Sequence, residues 1–358
     1  MASASEVAAM RRALVLAASA GSSTHPNPHV GAVVLDSTGE VVGEGFHRGA
    51  GLPHAEVEAL AAAGEAARGG TVVVTLEPCA HTGRTGPCAE AIATAGIVRV
   101  VHAQSDPNPV AAGGGKVLRA AGIALEGGVL EAEARALNPT WSLAMERGRP
   151  YVTWKVASTV DGRITAADGS SQWITGAAAR REVHVLRSQV DAVMVGTGTV
   201  TADDPQLTAR DEGGRSFASQ PLRVVVGTRD LPADAKVNDE TAPTLFIRSH
   251  SPEEVSRTLF DNDVHHVLLE GGPTLSAAFL RAGLVDRAVG YLAPLLLGDG
   301  LSMTDTLGIG TLSQADRFAF ADVSMVGDDV RWVARLSQAP LLQTGLIQSG
   351  LIQSRGGL

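Results

Sequence analysis

The feature that most constrains this chain is patterning: two blocks in which helix-period and strand-period segments alternate, interrupted once at Arg147-Gly-Arg-Pro150. Strands alternating with helices build a mainly parallel sheet covered on both faces. A single interruption in mid-chain therefore predicts two α/β units, residues 1–148 and 149–338. In the first block, helices are expected at Val7–Ala20, Ala55–Ala67, Cys88–Ala95, Lys116–Ala121 and Glu131–Glu146. Between them lie a strand pair at Val30–Leu35 and Glu40–Gly45 and strands at Thr71–Leu76, Val98–Ala103 and Ile123–Glu126. The second block opens with a strand at Tyr151–Ala157 and runs through helices at Ala177–Ser188, Pro252–Phe260 and Thr274–Ala282. A long loop is expected through Asp203-Asp204-Pro205, and antiparallel strands near the end. The tandem Gly-Leu-Ile-Gln-Ser copies from Gly345 predict a dispensable, disordered tail over residues 339–358.

Length and composition agree with two globular units. At 358 residues the chain exceeds the roughly 150 residues of a common domain. Hydrophobic residues make up 44% and charged residues 19%, with no apolar run long enough to span a bilayer. The start lacks a basic segment followed by an apolar stretch, so no secretory signal is read and a cytoplasmic location, with no membrane partner, is expected. A formal net charge of −9 repels a polyphosphate chain, which sets nucleic acid aside as a partner.

Chemistry concentrates in the first block, at His54-Ala-Glu56, Pro78-Cys79 and Cys88. One imidazole and two thiolates hold a zinc ion while leaving a fourth position for water, and the bound water ionises near neutral pH. Glu56, two residues beyond the histidine, can stand beside the metal without ligating it, where a proton shuttle belongs. His-x-Glu followed by Pro-Cys is the signature of zinc-dependent nucleobase deaminases, although eight residues instead of the usual two separate the cysteines. The bland alternatives are two unrelated buried cysteines, a redox pair, or a closed zinc site completed by His81. None of these accounts for Glu56 or for the proline before Cys79.

The segments Thr24-His-Pro-Asn-Pro-His-Val-Gly31, Pro53-His-Ala-Glu-Val57 and Thr75-Leu-Glu-Pro-Cys-Ala-His-Thr-Gly-Arg-Thr-Gly-Pro-Cys88 resemble the bacterial bifunctional riboflavin-biosynthesis deaminase/reductases, whose own variant is the long loop between cysteines. The resemblance implies a cytidine-deaminase-like zinc domain that removes the 2-amino group of 2,5-diamino-6-(5-phosphoribosylamino)-4(3H)-pyrimidinone. It carries Asn27, His47, His81 and Arg84 over as contacts to the pyrimidine and its ribose phosphate. His29 stands where the family usually has Asn.

The second block is less explicit. Gly196-Thr-Gly-Thr-Val only approaches a dinucleotide fingerprint, and Glu270-Gly-Gly-Pro273 offers a strand end and a helix start where backbone N–H groups can approach a phosphate. Lys155 through Arg163, Ser171-Gln-Trp-Ile-Thr175, Thr199 through Thr208 and Glu270-Gly-Gly-Pro-Thr resemble the reductase half of the same family. That implies a dihydrofolate-reductase-like α/β domain using NADPH. By match, Ala157, Trp173, Thr199, Asp203, Thr228, Gly272, Pro273, Thr274, Leu275, Ser276, Ala277 and Ala278 line the cofactor. Lys155, Ser171, Arg187, Leu207, Arg210 and Glu270 face the substrate, with both arginines suited to its phosphate. Gly227 departs from the family's usual Asp. The resemblance further implies a homo-oligomer acting on a small phosphorylated pyrimidine. Two other readings are a different nucleobase or tRNA deaminase fused to an unrelated reductase, and a zinc-stabilised nucleotide sensor without turnover; the negative charge and Glu56 count against them.

Overall fold

The computed structural model describes residues 1–20, 24–82 and 86–336. Arg84 and the tail from residue 337 therefore lie outside the described residues.

The first sheet is built by β1 (Gly31–Leu35), β2 (Val41–Phe46), β3 (Thr71–Leu76), β4 (Arg99–Gln104) and β5 (Ala124–Glu126), in the order β2-β1-β3-β4-β5. Only β3, β4 and β5 are parallel; β1 runs antiparallel to both of its neighbours. Strands β1, β3 and β4 are buried almost throughout, because helices cover both faces. Helix α1 (Ala4–Ala18) packs on one face through Ala9, Met10 and Ala13, and a capping box between Ser3 and Glu6 fixes its start. On the opposite face α2 (Ala55–Ala63) lies unusually close to β2. A Cβ at Gly45 would sit 2.5 Å from the Ala55 carbonyl oxygen, so only glycine permits the approach that seats the start of α2. Helices α3 (Cys88–Thr94) and α4 (Gly114–Ala120) complete that layer.

The helix expected over Glu131–Glu146 is two helices, α5 (Glu131–Leu137) and α6 (Pro139–Arg147). Proline lacks an N–H and disfavours helical backbone in the residue before it, and Asn138 accordingly adopts φ −128° and ψ 49°. The freed Asn138 side chain clamps His29, accepting from its N–H at 2.7 Å and donating to its carbonyl at 2.8 Å. His29 is thus held through its backbone.

Gly148 ends α6 with φ 62°, and the chain enters β6 (Tyr151–Thr159). The second sheet continues through β7 (Ala192–Gly196), β8 (Leu222–Val226), β9 (Thr244–Ile247), β10 (His266–Leu269), β11 (Arg287–Ala293), β12 (Phe318–Val326) and β13 (Asp329–Leu336), ordered β12-β13-β11-β6-β10-β7-β8-β9. Strands β11, β6, β10, β7, β8 and β9 are parallel, and β12 and β13 add the expected antiparallel edge. Helices α7 (Ala177–Ser188), α9 (Pro252–Asp261) and α10 (Pro273–Arg281) cover the sheet. Where a loop was expected before Asp203, the chain forms α8 (Thr197–Asp203). Its threonines and glycine are weak helix formers; burial of Val200 and a 3.0 Å bond from Thr201 Oγ1 to the Thr197 carbonyl outweigh that preference.

The two sheets meet along a seam of specific contacts. His25 Nδ1 lies 2.5 Å from Asp191 Oδ1, and Asp191 Oδ2 accepts the backbone N–H groups of His265 and His266 at 2.8 Å each. Burial opposes protonation of His25, but Asp191 outweighs it and raises the pKa. Farther along, Arg147 and Arg149 both reach the buried carboxylate of Asp286.

Candidate active sites

His54 sits at the N-terminal boundary of α2, Cys79 on the loop leaving β3, and Cys88 at the first position of α3. The fold brings these distant residues together so that their donor atoms all lie within 4.8 Å of one another. His54 Nδ1 is 3.1 Å from Cys88 Sγ and 3.7 Å from Cys79 Sγ, and the Cys88 N–H points at Cys79 Sγ at 3.4 Å. The thiols compete for a proton: Cys79 is held well below the ordinary thiol range by hydrogen bonds from Cys88 and His54, while the same partnership and burial push Cys88 up. Two sulfurs crowding one imidazole nitrogen, with one thiolate favoured, is a donor set that suits zinc. Among the described residues this is the one such group of three found, and His81 is not part of it.

Glu56 lies in the first turn of α2, 4% exposed, and burial raises its carboxyl pKa. It shares a cavity of about 480 Å³ with His54, Cys79, His81, Asn27 and His47. Asn27 Nδ2 is 3.1 Å from His47 Nε2, while His47 Nδ1 lies 3.1 Å from the Pro53 carbonyl. These partners assign the tautomer, with Nδ1–H donating to the carbonyl and Nε2 accepting from Asn27. Burial keeps His47 neutral by lowering its pKa. His81 Nδ1 is buried without a hydrogen-bond partner among the described residues.

The same cavity contains a carboxylate that motif reading missed. Asp106 follows the end of β4, and burial, then the charges of Glu77, Cys79 and Glu56, push it up to about 7. Its signal was positional, because ligands gather beyond the carboxyl ends of parallel strands. Phe260, Asp263 and His265 also line this cavity, and they come from the other half of the chain.

The second set of residues gathers where β6, β7, β8 and β10 end. Glu270 is the centre: Arg187 grips it with Nε at 2.7 Å and Nη2 at 3.0 Å, and Lys155 Nζ lies 3.5 Å away. Burial alone would raise the Glu270 pKa, but the two cations hold it down to about 2. Arg187 is therefore engaged by Glu270 in this structure, with a further bond to the Thr208 carbonyl at 3.2 Å. Arg210 lies against Thr208 and Gln206. Ser171 Oγ donates to Asp203 Oδ1 at 2.9 Å, and the Gly272 N–H donates to Thr199 Oγ1 at 3.1 Å. Helix α10 starts with no side-chain cap at Gly272, which leaves first-turn N–H groups available to an anion and suits a dinucleotide phosphate.

Other matched residues are placed differently. Leu207, Ser276 and Ala277 are buried in the protein interior, so their side chains do not face solvent. Trp173 is 67% exposed with the Arg180 guanidinium 4.4 Å over its ring. Thr228 Oγ1 pairs with His250 Nε2 at 3.0 Å. At the neighbouring departure from the family pattern, Gly227 has φ 132° and a Cβ there would meet Thr197 Oγ1 at 2.7 Å, so this backbone favours glycine.

Residues 3–104 match the cytidine and deoxycytidylate deaminase zinc-binding region, and residues 150–331 match the RibD C-terminal domain. The chain is 50% identical over 309 residues to the riboflavin biosynthesis protein RibD of Mycobacterium tuberculosis, covering 86% of this chain and 90% of that protein. Against the Escherichia coli RibD it is 41% identical over 355 residues, 90% of this chain and 96% of that one. A solved structure of Acinetobacter baumannii RibD superposes with a TM-score of 0.82 at 41% identity, covering 93% of this chain and 99% of the other. The Thermotoga maritima diaminohydroxyphosphoribosylaminopyrimidine deaminase/5-amino-6-(5-phosphoribosylamino)uracil reductase gives 0.77 at 35% identity, covering 93% and 99%. With the family come zinc for the first half and NADPH for the second. The two sites, joined in one polypeptide, make this chain a member of the RibD family of bifunctional deaminase/reductases of riboflavin biosynthesis.

Proposed function

We propose that residues 1–148 hydrolyse the 2-amino group from 2,5-diamino-6-(5-phosphoribosylamino)-4(3H)-pyrimidinone, and that residues 149–338 then use NADPH to reduce the product's ribosyl side chain to ribityl. The observation that carries this reading is the buried Glu56 carboxyl in one cavity with His54 and Cys79, beside the His54–Cys79–Cys88 triad. When bound to that triad, zinc supplies a hydroxide at neutral pH. Glu56 takes a proton from the attacking water and returns it to the departing amine, a role that its burial-raised pKa suits. Asn27 and His47, fixed against each other, present hydrogen-bonding groups to the pyrimidine, with His81 beside them and Arg84 reserved for the phosphate.

In the second domain Glu270 holds both Arg187 and Lys155; Arg187 and Arg210 serve the substrate phosphate, Lys155 lies near the reacting ribose, and Ser171 and Leu207 complete the substrate side. Ala157, Trp173, Thr199, Asp203, Thr228 and Gly272 through Ala278 form the cofactor side, supported by the uncapped start of α10. The reading includes a homo-oligomer in the cytoplasm. Phe320, Val323 and Met325, all exposed on edge strand β12, support self-association.

A coupled assay tests the order of events. Given the diaminopyrimidine phosphate and NADPH, the enzyme should release one equivalent of ammonia before NADPH absorbance falls. NADPH oxidation on that substrate with no preceding ammonia would sink the proposed sequence.

A further inference from the structure

The deaminase cavity is not closed by the first domain alone: Phe260, in the last turn of α9, and Asp263 and His265, from the turn joining α9 to β10, line it as well. This turn is anchored to the opposite domain. His265 Nδ1 lies 3.1 Å from the Pro26 carbonyl, immediately before Asn27, and its backbone N–H is held by Asp191, which also pairs with His25. Burial lowers the His265 pKa, so the ring is neutral; with Nδ1–H donating to Pro26, Nε2 is left as an acceptor. Phe260 stacks edge-on to the same ring, with centroids 5.7 Å apart.

Asp263 is the unusual member. It occupies the left-handed region at φ 59°, at the turn that ends α9, where its N–H bonds the Phe260 carbonyl and Val264 N–H bonds the Leu259 carbonyl. Glycine is the commonest residue at such a position, and aspartate is one of the few others that enter it readily. The side chain is exposed, borders the cavity, and makes no hydrogen bond or ion pair among the described residues. What marks it out is its place: an exposed carboxylate with no such partner, on the wall of the deaminase cavity, is free to meet a ligand there.

We propose that this turn of the reductase domain is part of the deaminase substrate site, with Asp263 accepting hydrogen bonds from the ribose hydroxyls of the phosphoribosylaminopyrimidine. The chemistry selects the sugar over the phosphate. A carboxylate and an imidazole lone pair both accept, which matches hydroxyl donors and repels a phosphate dianion. His265 is a positioning residue: it braces the Pro26–Asn27 segment from across the seam. The inference rests on the deaminase reading above.

Its test uses the full chain with Asp263→Asn and Asp263→Gly, the second of which also relieves the backbone. Both variants should raise the deaminase KM about tenfold, the scale of a hydrogen bond to a charged group, with kcat within about twofold and reductase kcat/KM unchanged. Asp263→Gly should melt no lower than the parent. With a 2′,3′-dideoxyribose substrate, parent and variants should have the same KM, an outcome that a merely structural role of Asp263 would not produce. An unchanged KM for the ribosylated substrate, in a parent that releases ammonia, overturns this inference alone. A parent that releases no ammonia overturns the deaminase reading and this inference with it.

Discussion

The two sites solve the problem of buried charge in opposite ways. Around His54, Cys79 and Cys88 the protein packs donors that compete for a proton. Around Glu270 the protein supplies both signs itself, with Arg187 and Lys155 on one carboxylate. The first arrangement is completed by a metal, whereas the second is complete as folded. A site that must generate hydroxide needs an unsaturated donor set; a site that only orients reactants for hydride transfer gains from charges locked in place.

This contrast can be broken most sharply at Glu56. Glu56→Gln keeps the shape of the side chain and the zinc donors, so zinc content measured by elemental analysis should match the parent. Ammonia release should fall by roughly 10²–10⁴-fold, the usual worth of a positioned general acid–base, while reduction of the deaminated intermediate continues. Retained deamination would remove the shuttle.

Next in size is the effect of removing a donor. Cys88→Ser should lose most bound zinc and, with it, deamination; its melting transition should also drop, since metal binding adds to folding stability. The reductase should keep its NADPH-dependent rate. A variant that stays fully metallated and active would mean that the third ligand lies elsewhere.

The smallest expected effect is on stability at the other site. Glu270→Gln leaves Arg187 and Lys155 buried without their counter-charge and should cost about 3 kcal/mol in denaturant unfolding at pH 7. The sign with pH is set by the depressed carboxyl, held at about 2 in the folded protein. Its contribution is fully present above the ordinary carboxylate value, near 4.3, and drains away as pH falls toward 2. The difference between parent and Glu270→Gln should therefore shrink between pH 5 and pH 3. A gap independent of pH would detach the effect from that charge.

Legibility in the sequence followed the same division. His54, Cys79 and Cys88 could be singled out because metal-ligating side chains recur at characteristic spacings, and the fold does gather their three donor atoms; Glu56 was singled out by its place two residues beyond the histidine. Strand Thr71–Leu76 was readable to the residue because a strand buried on both faces is a short apolar run between turns. The break at Asn138 was present in the letters, as a proline, but helical periodicity on either side masked it. Helix α8 ran against the propensity of its residues and was set by tertiary burial. The pairing of Arg187 with Glu270 was not legible, since 83 residues separate the partners and a cation's spacing does not reveal which anion it meets. Asp263 and His265 were hidden for the same reason: nothing near them resembles a deaminase motif, and only the packing of the two domains carries them to that cavity.

The strand order of the second sheet also imposes a timetable. Strand β6, the first of its domain to be synthesised, is flanked by β10 and β11, among the last to emerge; Thr153 and its partner His266 are 113 residues apart. At roughly 5–20 residues per second on a ribosome, β6 waits several seconds or more for neighbours. The first sheet has all its strands by Glu126 and is under no such delay. Yet the turn that finishes the deaminase cavity belongs to the late segment. The half of the chain that carries the zinc donors is thus made early, but its cavity gains its last lining residues only after about three quarters of the chain has been made.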